Sequence, residues 1–215
     1  KSTMMKKALF YLTFACIAYI PQVQAQLGIK AGINLANEIK SFKGEDIAAG
    51  FSKENLTGYQ IGLVYQIVPE KSGFGGDFGL LLSQKGYTFS DSVSVVDAIS
   101  EGYKEINYLE MPFNLRYRLK IGFLGVFGYG GLYAGYALNG KKVIEPETTT
   151  EPMSFDQIMN RVDVGYNLGA GVEFFKKIQF GAAWSQGLKN VSADPATGTD
   201  TALNRVFTVS LTYLF

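Results

Sequence analysis

The sequence has no histidine, and its one cysteine, Cys16, lies in an apolar stretch near the beginning. Without histidine the usual general base near neutral pH is missing, so any enzyme chemistry would rest on carboxylates alone. With a single cysteine there is no intrachain disulfide, and past Cys16 no thiol remains to bind a metal or act as a nucleophile. Neither charge sign dominates: 20 Lys and Arg stand against 19 Asp and Glu. That balance argues against a nucleic-acid partner. Proline is scarce, at 6 residues of 215. Past Ala25 no apolar run reaches the ~20 residues of a spanning helix. If that part of the chain crosses a membrane, it crosses as strands. No catalytic residue, cofactor or metal site is expected. What the chain has in quantity is glycine (25), phenylalanine (16) and tyrosine (13), a composition that suits a β protein with a lipid-facing surface.

The opening segment has the layout of a secretory signal peptide. Lys6 and Lys7 precede an apolar run from Ala8 to Ile20, and Val23-Gln24-Ala25 offers a small-residue cleavage site before Gln26. The expected division is therefore residues 1–25 as signal peptide, with Lys1 to Thr3 as upstream residues, and residues 26–215 as one barrel domain. A lipoprotein reading would acylate Cys16, but "TFAC" lacks the leucine three positions earlier and the apolar run continues past it. Without Lys1, Lys6 and Lys7 the remaining chain is slightly acidic.

Period-2 alternation runs through the rest. In "RVDVGYNLGAGVEF", Val162, Val164, Tyr166, Leu168, Ala170, Val172 and Phe174 share one face, and Arg161, Asp163, Asn167, Glu173 and three glycines share the other. "INYLEMPFNLRYRL" sets Leu109, Met111, Phe113, Leu115, Tyr117 and Leu119 against Tyr108, Glu110, Pro112, Asn114, Arg116 and Arg118. "QLGIKAGINL", "TGYQIGLVYQI" and "RVFTVSLTYLF" alternate as cleanly. "FGLLLSQKGYTF" alternates poorly, "IQFGAAWSQGL" is short with Ile178, Phe180, Ala182 and Trp184 as its outer set, and "GFLGVFGYGGLYAGYAL" is apolar on both faces. That makes eight strands. The links between them run long–short in turn: Ala36–Leu56, Val68–Gly73, Ser90–Tyr103, Lys120–Gly122, Asn139–Asn160, Phe175–Lys177 and Lys189–Leu203. The expectation is an all-β, eight-stranded antiparallel up-and-down transmembrane β-barrel in an outer membrane, with both mature termini periplasmic. A soluble β-sandwich also alternates, but needs neither this rhythm of links nor such long strands. Pro112 falls in mid-strand, where it cannot donate to a ladder, so a bulge or a missing bond is expected there.

In an eight-stranded barrel the interior is only wide enough to be filled by side chains. The predicted inward set is Lys30, Asp77, Lys85, Glu110, Arg116, Arg118, Arg161, Asp163 and Glu173. Mixed and nearly balanced charge favours a packed salt-bridge network, with Glu110 to Arg116 or to a neighbouring-strand arginine as the first pair to seek. A narrow path for protons or small solutes is the alternative. The Asn139–Asn160 link is the candidate partner loop. It carries Glu145, Glu147 and Glu151, and a short helix is expected over "SFDQIM", with Ser154 as its cap and Phe155, Ile158 and Met159 needing burial.

"LGIKAGINLA", "LLLSQKGY", "INYLEMPFNLRYRL", "GAGVEF" and "SLTYLF" resemble the small outer-membrane β-barrel proteins of Bacteroidota. That group is described as the porin family or outer membrane protein beta-barrel domain, and includes relatives of the secretion-associated PorT proteins. The resemblance implies an eight-stranded outer-membrane barrel and supplies no catalytic or binding residues. Outer-membrane barrel enzymes such as phospholipases and omptin proteases rely on a histidine that this chain lacks. The expected role is structural or accessory, with lipid as the surrounding partner and an outer-membrane protein as a partner through external loops. The alternative is a narrow porin or transporter for small solutes.

Overall fold

Wherever the sequence alternates with period 2, the chain forms strand. The computed structural model describes residues 23–42, 45–46, 52–69, 72–92, 99–145, 149–152, 160–191 and 200–215. Its strands are β1 (Val23–Phe42), β2 (Glu45–Asp46), β3 (Ser52–Pro69), β4 (Gly73–Ser92), β5 (Ile99–Ile121), β6 (Leu124–Glu145), β7 (Thr149–Pro152), β8 (Val162–Phe174), β9 (Ile178–Gly187) and β10 (Asp200–Leu214). Eight of these close a ring in the order β1-β3-β4-β5-β6-β8-β9-β10, every neighbouring pair antiparallel. The closing ladder joins β1 to β10 from Gly28–Leu214 to Phe42–Asp200. The ring is therefore an eight-stranded closed antiparallel barrel. β2 and β7 are short additions that pair with β1 and β6 outside it.

Burial follows the alternation and inverts the pattern of a soluble protein. Leu27, Ile29 and Ile33 of β1, Met111, Phe113, Leu115, Tyr117 and Leu119 of β5, and Phe207, Val209, Leu211 and Tyr213 of β10 are exposed. Asn34, Gln66, Lys85, Arg116, Arg118, Asp163 and Glu173 are buried. Such an exterior is stable only in hydrocarbon, and closure leaves no unpaired strand edge there. On β5 the apolar outer band runs from Met111 to Ile121, close to the ~9–11 residues a tilted strand needs to cross. β5 itself has 23 residues, so its first half rises beyond the bilayer.

That rise corrects the expected loops. β1 runs on to Phe42, β4 to Ser92 and β6 to Glu145, while β5 starts at Ile99 and β10 at Asp200. The four long links are thus partly strand. The long–short rhythm survives: the links between β3 and β4, β5 and β6, and β8 and β9 are short, with turns at 122–123 and 175–177. Beyond the bilayer the outer face of a strand meets water and need not be apolar, while Ile106, Val143 and Glu38 stay buried inside, so the extensions carry no apolar-out alternation to read. The expected helix over Ser154–Met159 lies outside the described residues, as do Glu147, Phe155, Ile158 and Met159. Glu145 ends β6 and Glu151 lies in β7.

Pro112 behaves as its chemistry requires. The β4–β5 ladder pairs Phe78 with Phe113 and resumes at Leu81 with Glu110, without a shift in register. The interruption spans the two rows around Pro112, which is a loss of pairing and not a bulge. The register shifts that do occur lie elsewhere, between Asn55 and Gln60 on β3 and between Asn107 and Tyr108 on β5.

β6, apolar on both faces, resolves through its neighbour. Phe127 and Tyr133 are buried inside, with Tyr129 beside them, while Val126, Leu132 and Tyr136 face out. The inward rings sit over glycines of β8. A Cβ on Gly171 would lie 2.5 Å from the Phe127 ring, one on Gly165 would lie 2.5 Å from the Tyr133 ring, and one on Gly169 would collide with Tyr129. Three glycines on one strand make room for three aromatic rings from the next.

Candidate functional site

β5 supplies one member of each charged layer inside the barrel: Lys104, Glu110, Arg116 and Arg118. Fourteen positions separate the first from the last, roughly 45 Å of strand. At the long-link end Lys104 reaches Glu38 of β1 at 3.4 Å. Below it, Glu110 meets Lys85 of β4 at 2.5 Å, and the same ammonium contacts Asp163 of β8 at 3.1 Å. Asp163 also accepts from Asn204 at 2.9 Å and from the Tyr133 hydroxyl at 3.2 Å. The Lys85 ammonium lies 4.2 Å from the centre of the Tyr133 ring, a contact worth more when desolvated, as here.

The next layer is built on Arg116. Its Nε donates to Asp77 Oδ2 at 2.7 Å, and Asn114 donates to Asp77 Oδ1 at 2.7 Å. The guanidinium stacks over Phe127 at 4.1 Å. Gln66 of β3 and Gln179 of β9 exchange amide hydrogen bonds of 3.0 Å, and Gln179 donates onward to Glu173 at 2.8 Å. At the short-turn end Arg118 donates to Glu173 at 2.9 Å and to the Pro69 carbonyl.

These contacts cross the lumen and do not merely line it. Lys85–Asp163, Gln66–Gln179 and Lys104–Glu38 each join strands with two others between them around the ring. Asn204 reaches Tyr108 at 3.5 Å from the opposite wall. A buried charge persists only when paired and hydrogen-bonded, and Lys85–Asp163 and Lys104–Glu38 are both. Between the Lys104 and Lys85 layers sits an apolar one. Val191, fully buried, packs with Ile106, Tyr108, Ala137 and Ala202. Backbone bonds from Asn160 to Val191 (3.0 Å) and from Val191 to Ala202 (3.0 Å) hold that strap across the mouth. An internal cavity of about 30 Å³ lies near Lys30 and Arg116, room for a water or two.

Of the nine residues expected inside, Asp77, Lys85, Glu110, Arg116, Arg118, Asp163 and Glu173 join this network. Two stand apart. Lys30 faces the lumen as expected but makes no ion pair among the described residues. Arg161 sits just before β8 at the rim, half-exposed, donating to the Ala137 carbonyl at 3.5 Å and lying 5.9 Å from the Tyr136 ring. The expected Glu110–Arg116 pair is also corrected. Arg116 turns to Asp77, while the β4–β5 register sets Leu81 opposite Glu110 and brings Lys85 within reach. Sequence reading missed Tyr108, Tyr133, Gln66, Gln179 and Asn204 as network members. The inward parity of Gln66 pointed to it, and nothing local pointed to its partner across the barrel. Outside the membrane band, Lys141 pairs with Glu105 at 3.0 Å, and that carboxylate holds the ammonium above its ordinary pKa.

Residues 22–193 match the family model described as outer membrane protein beta-barrel domain. Solved structures similar to this chain include three outer-membrane or surface proteins. The attachment invasion locus protein Ail of Yersinia pestis is 15% identical, with 89% of this chain and 99% of that chain covered and a TM-score of 0.43. OprG of Pseudomonas aeruginosa is 11% identical, with 91% and 98% covered and a TM-score of 0.47. Neisserial surface protein A is 8% identical, with 89% and 99% covered and a TM-score of 0.40. Comparison with curated proteins finds no match.

Proposed function

Since the chain belongs to the outer membrane protein beta-barrel domain family, we propose that it serves the outer membrane as a closed barrel, a structural or accessory protein that acts through its surfaces. The observation that carries this reading is the set of contacts across the lumen. With Lys85, Arg116 and Arg118 each tied to carboxylates from other strands, the interior has little left to offer a solute. What remains for function is the lipid-facing wall and the strand extensions at the long-link end, where β2 and β7 add to the sheet. An outer-membrane protein docking on those extensions is the partner this reading calls for.

The short turns and both ends of the ring lie at the same end, which this reading assigns to the periplasm. Residues 1–25 are then a signal peptide. Cleavage before Gln26 would remove the pairs Val23–Pro69, Gln24–Val68 and Ala25–Ile67 from the foot of β1 and leave the lumen network intact.

A narrow pore is the second reading, favoured by the cavity beside Arg116. The accessory role is tested by extracting the protein from native membranes in mild detergent and sizing the particle. A stable larger assembly that loses its partner when the long-link extensions are shortened is the expected result. A lone chain in its detergent belt would overturn the accessory role.

A further inference from the structure

The lumen charges are balanced in number and unevenly placed. Lys85 serves two carboxylates, Glu110 and Asp163, while Arg116 serves Asp77 and Arg118 serves Glu173. Every lumen carboxylate in these layers is thereby engaged, and Lys30 is left over. Among the described residues its ammonium has no carboxylate at ion-pair distance and no hydrogen-bond partner. Asp77 and Glu110 attract it only from further off, and Arg116 repels it.

Lys30 is nevertheless not in open water. It projects from β1 into the cavity of about 30 Å³, whose wall also holds Arg116, Gln179, Ser210 and Thr212. Thr212 and Gly62 are the cross-strand neighbours of Lys30 on either side. The threonine side supplies a hydroxyl, and on the glycine side the backbone of Leu80 and Leu81 comes so close that a Cβ would collide with it. The one carboxylate in the lining, Asp77, has both oxygens occupied, by Arg116 and by Asn114. The Gln179 amide is spent on Gln66 and Glu173, so what the cavity offers is two cations, the Thr212 and Ser210 hydroxyls and a spent carboxylate, a set that favours negative charge. An unpaired ammonium in a low-dielectric lumen is unstable without a partner.

We infer that this cavity is a binding site for a small monovalent anion of halide size, held between the Lys30 ammonium and the Arg116 guanidinium with the Ser210 and Thr212 hydroxyls of β10 as further donors. The anion completes the charge balance of the middle layer. It is a fixed part of the plug and does not travel through it. The site stands on the placement of Lys30 and does not depend on what partner the barrel serves.

The test uses the purified full chain in detergent. Thermal unfolding is followed in sodium chloride, in sodium bromide and in sodium gluconate, an anion too large for the cavity, at equal ionic strength. The midpoint should rise with the logarithm of halide concentration, as mass action on a folded-state site requires, and stay flat in gluconate. Lys30→Met should abolish the halide dependence whatever its effect on the baseline. Thr212→Val, a milder change, should weaken it. Bromide-soaked crystals should show an anomalous peak beside the Lys30 Nζ. Equal midpoints in halide and gluconate, or a cavity holding only water in bromide, would overturn the site. Halide dependence together with an anion-selective current would keep the site and remove the closed-barrel reading.

Discussion

Lys85 and Asp163 stand on β4 and β8, with β5 and β6 between them, and their contact at 3.1 Å spans the barrel interior. Both side chains are almost wholly excluded from solvent, at 2% and 0% exposure. Such a pair holds the walls in one arrangement only while both partners are present. Lys85→Met leaves the Glu110 and Asp163 carboxylates buried without their cation. Breaking a pair of this kind costs on the order of 3–5 kcal/mol. Urea unfolding of the detergent-solubilised protein checks this, and a loss below about 1 kcal/mol would mean that water already compensates these charges.

The fit between β6 rings and β8 glycines makes a second prediction. Gly171→Ala places a methyl 2.5 Å from Phe127 and Gly169→Ala drives one into Tyr129. Each should destabilise by about 1–3 kcal/mol, the usual cost of overpacking. Pairing Gly169→Ala with Tyr129→Leu should recover part of the loss in the same unfolding experiment. Equal losses in the single and double variants would show that the ring is not what the glycine accommodates.

Two glycines with positive φ separate conformational from steric need. Gly86 (φ 153°) lies against the Lys104 carbonyl, whereas Gly122 (φ 65°) has nothing near the position of a Cβ. Gly122→Ala should therefore cost only the left-handed penalty, about 1–2 kcal/mol. Gly86→Ala must also move β5 and should impair folding outright. Heat-modifiable mobility on gels would report it, and a fully folded Gly86→Ala variant would contradict the argument.

The β8–β9 turn carries its own strain. Phe175 (φ 54°) and Lys176 (φ 60°) are both left-handed, and Lys177 donates to Phe174 at 3.0 Å to close a two-residue hairpin. Glycine adopts that conformation freely. Lys176→Gly should stabilise the barrel by about 1 kcal/mol, while keeping Phe175 stacked on Phe123 at 5.5 Å. A lowered unfolding midpoint would show that the Lys176 side chain contributes more than its backbone costs.

Much of this architecture could be read before any coordinates. The alternation around Asp163 and Glu173 was enough to place both inside, because one register choice puts every apolar neighbour into lipid. The same pattern failed on β6, where Phe127 and Leu132 are equally apolar and only the glycines of β8 decide which turns inward. It failed again for Glu110. Its partner depends on the stagger between β4 and β5, which no single strand encodes. The strand extensions past Asn107 and Asn139 lose the pattern, since their outer face meets water and need not be apolar, although Ile106 and Val143 stay buried inside. Val191 gave no sign that it would fold back into the mouth. That contact is set by β8 and β9 ending lower than β6 and β10.

The central claim is that the lumen is closed, and single-channel recording tests it most directly. Purified full-length protein is inserted into planar bilayers in 1 M salt, a condition fixed to favour any current. Packed layers at Lys85, Arg116 and Arg118 predict a silent membrane, with stepwise currents arising only when Lys85→Ala and Arg116→Ala are combined. Steady steps from the unaltered protein would contradict the account and make the barrel a narrow pore.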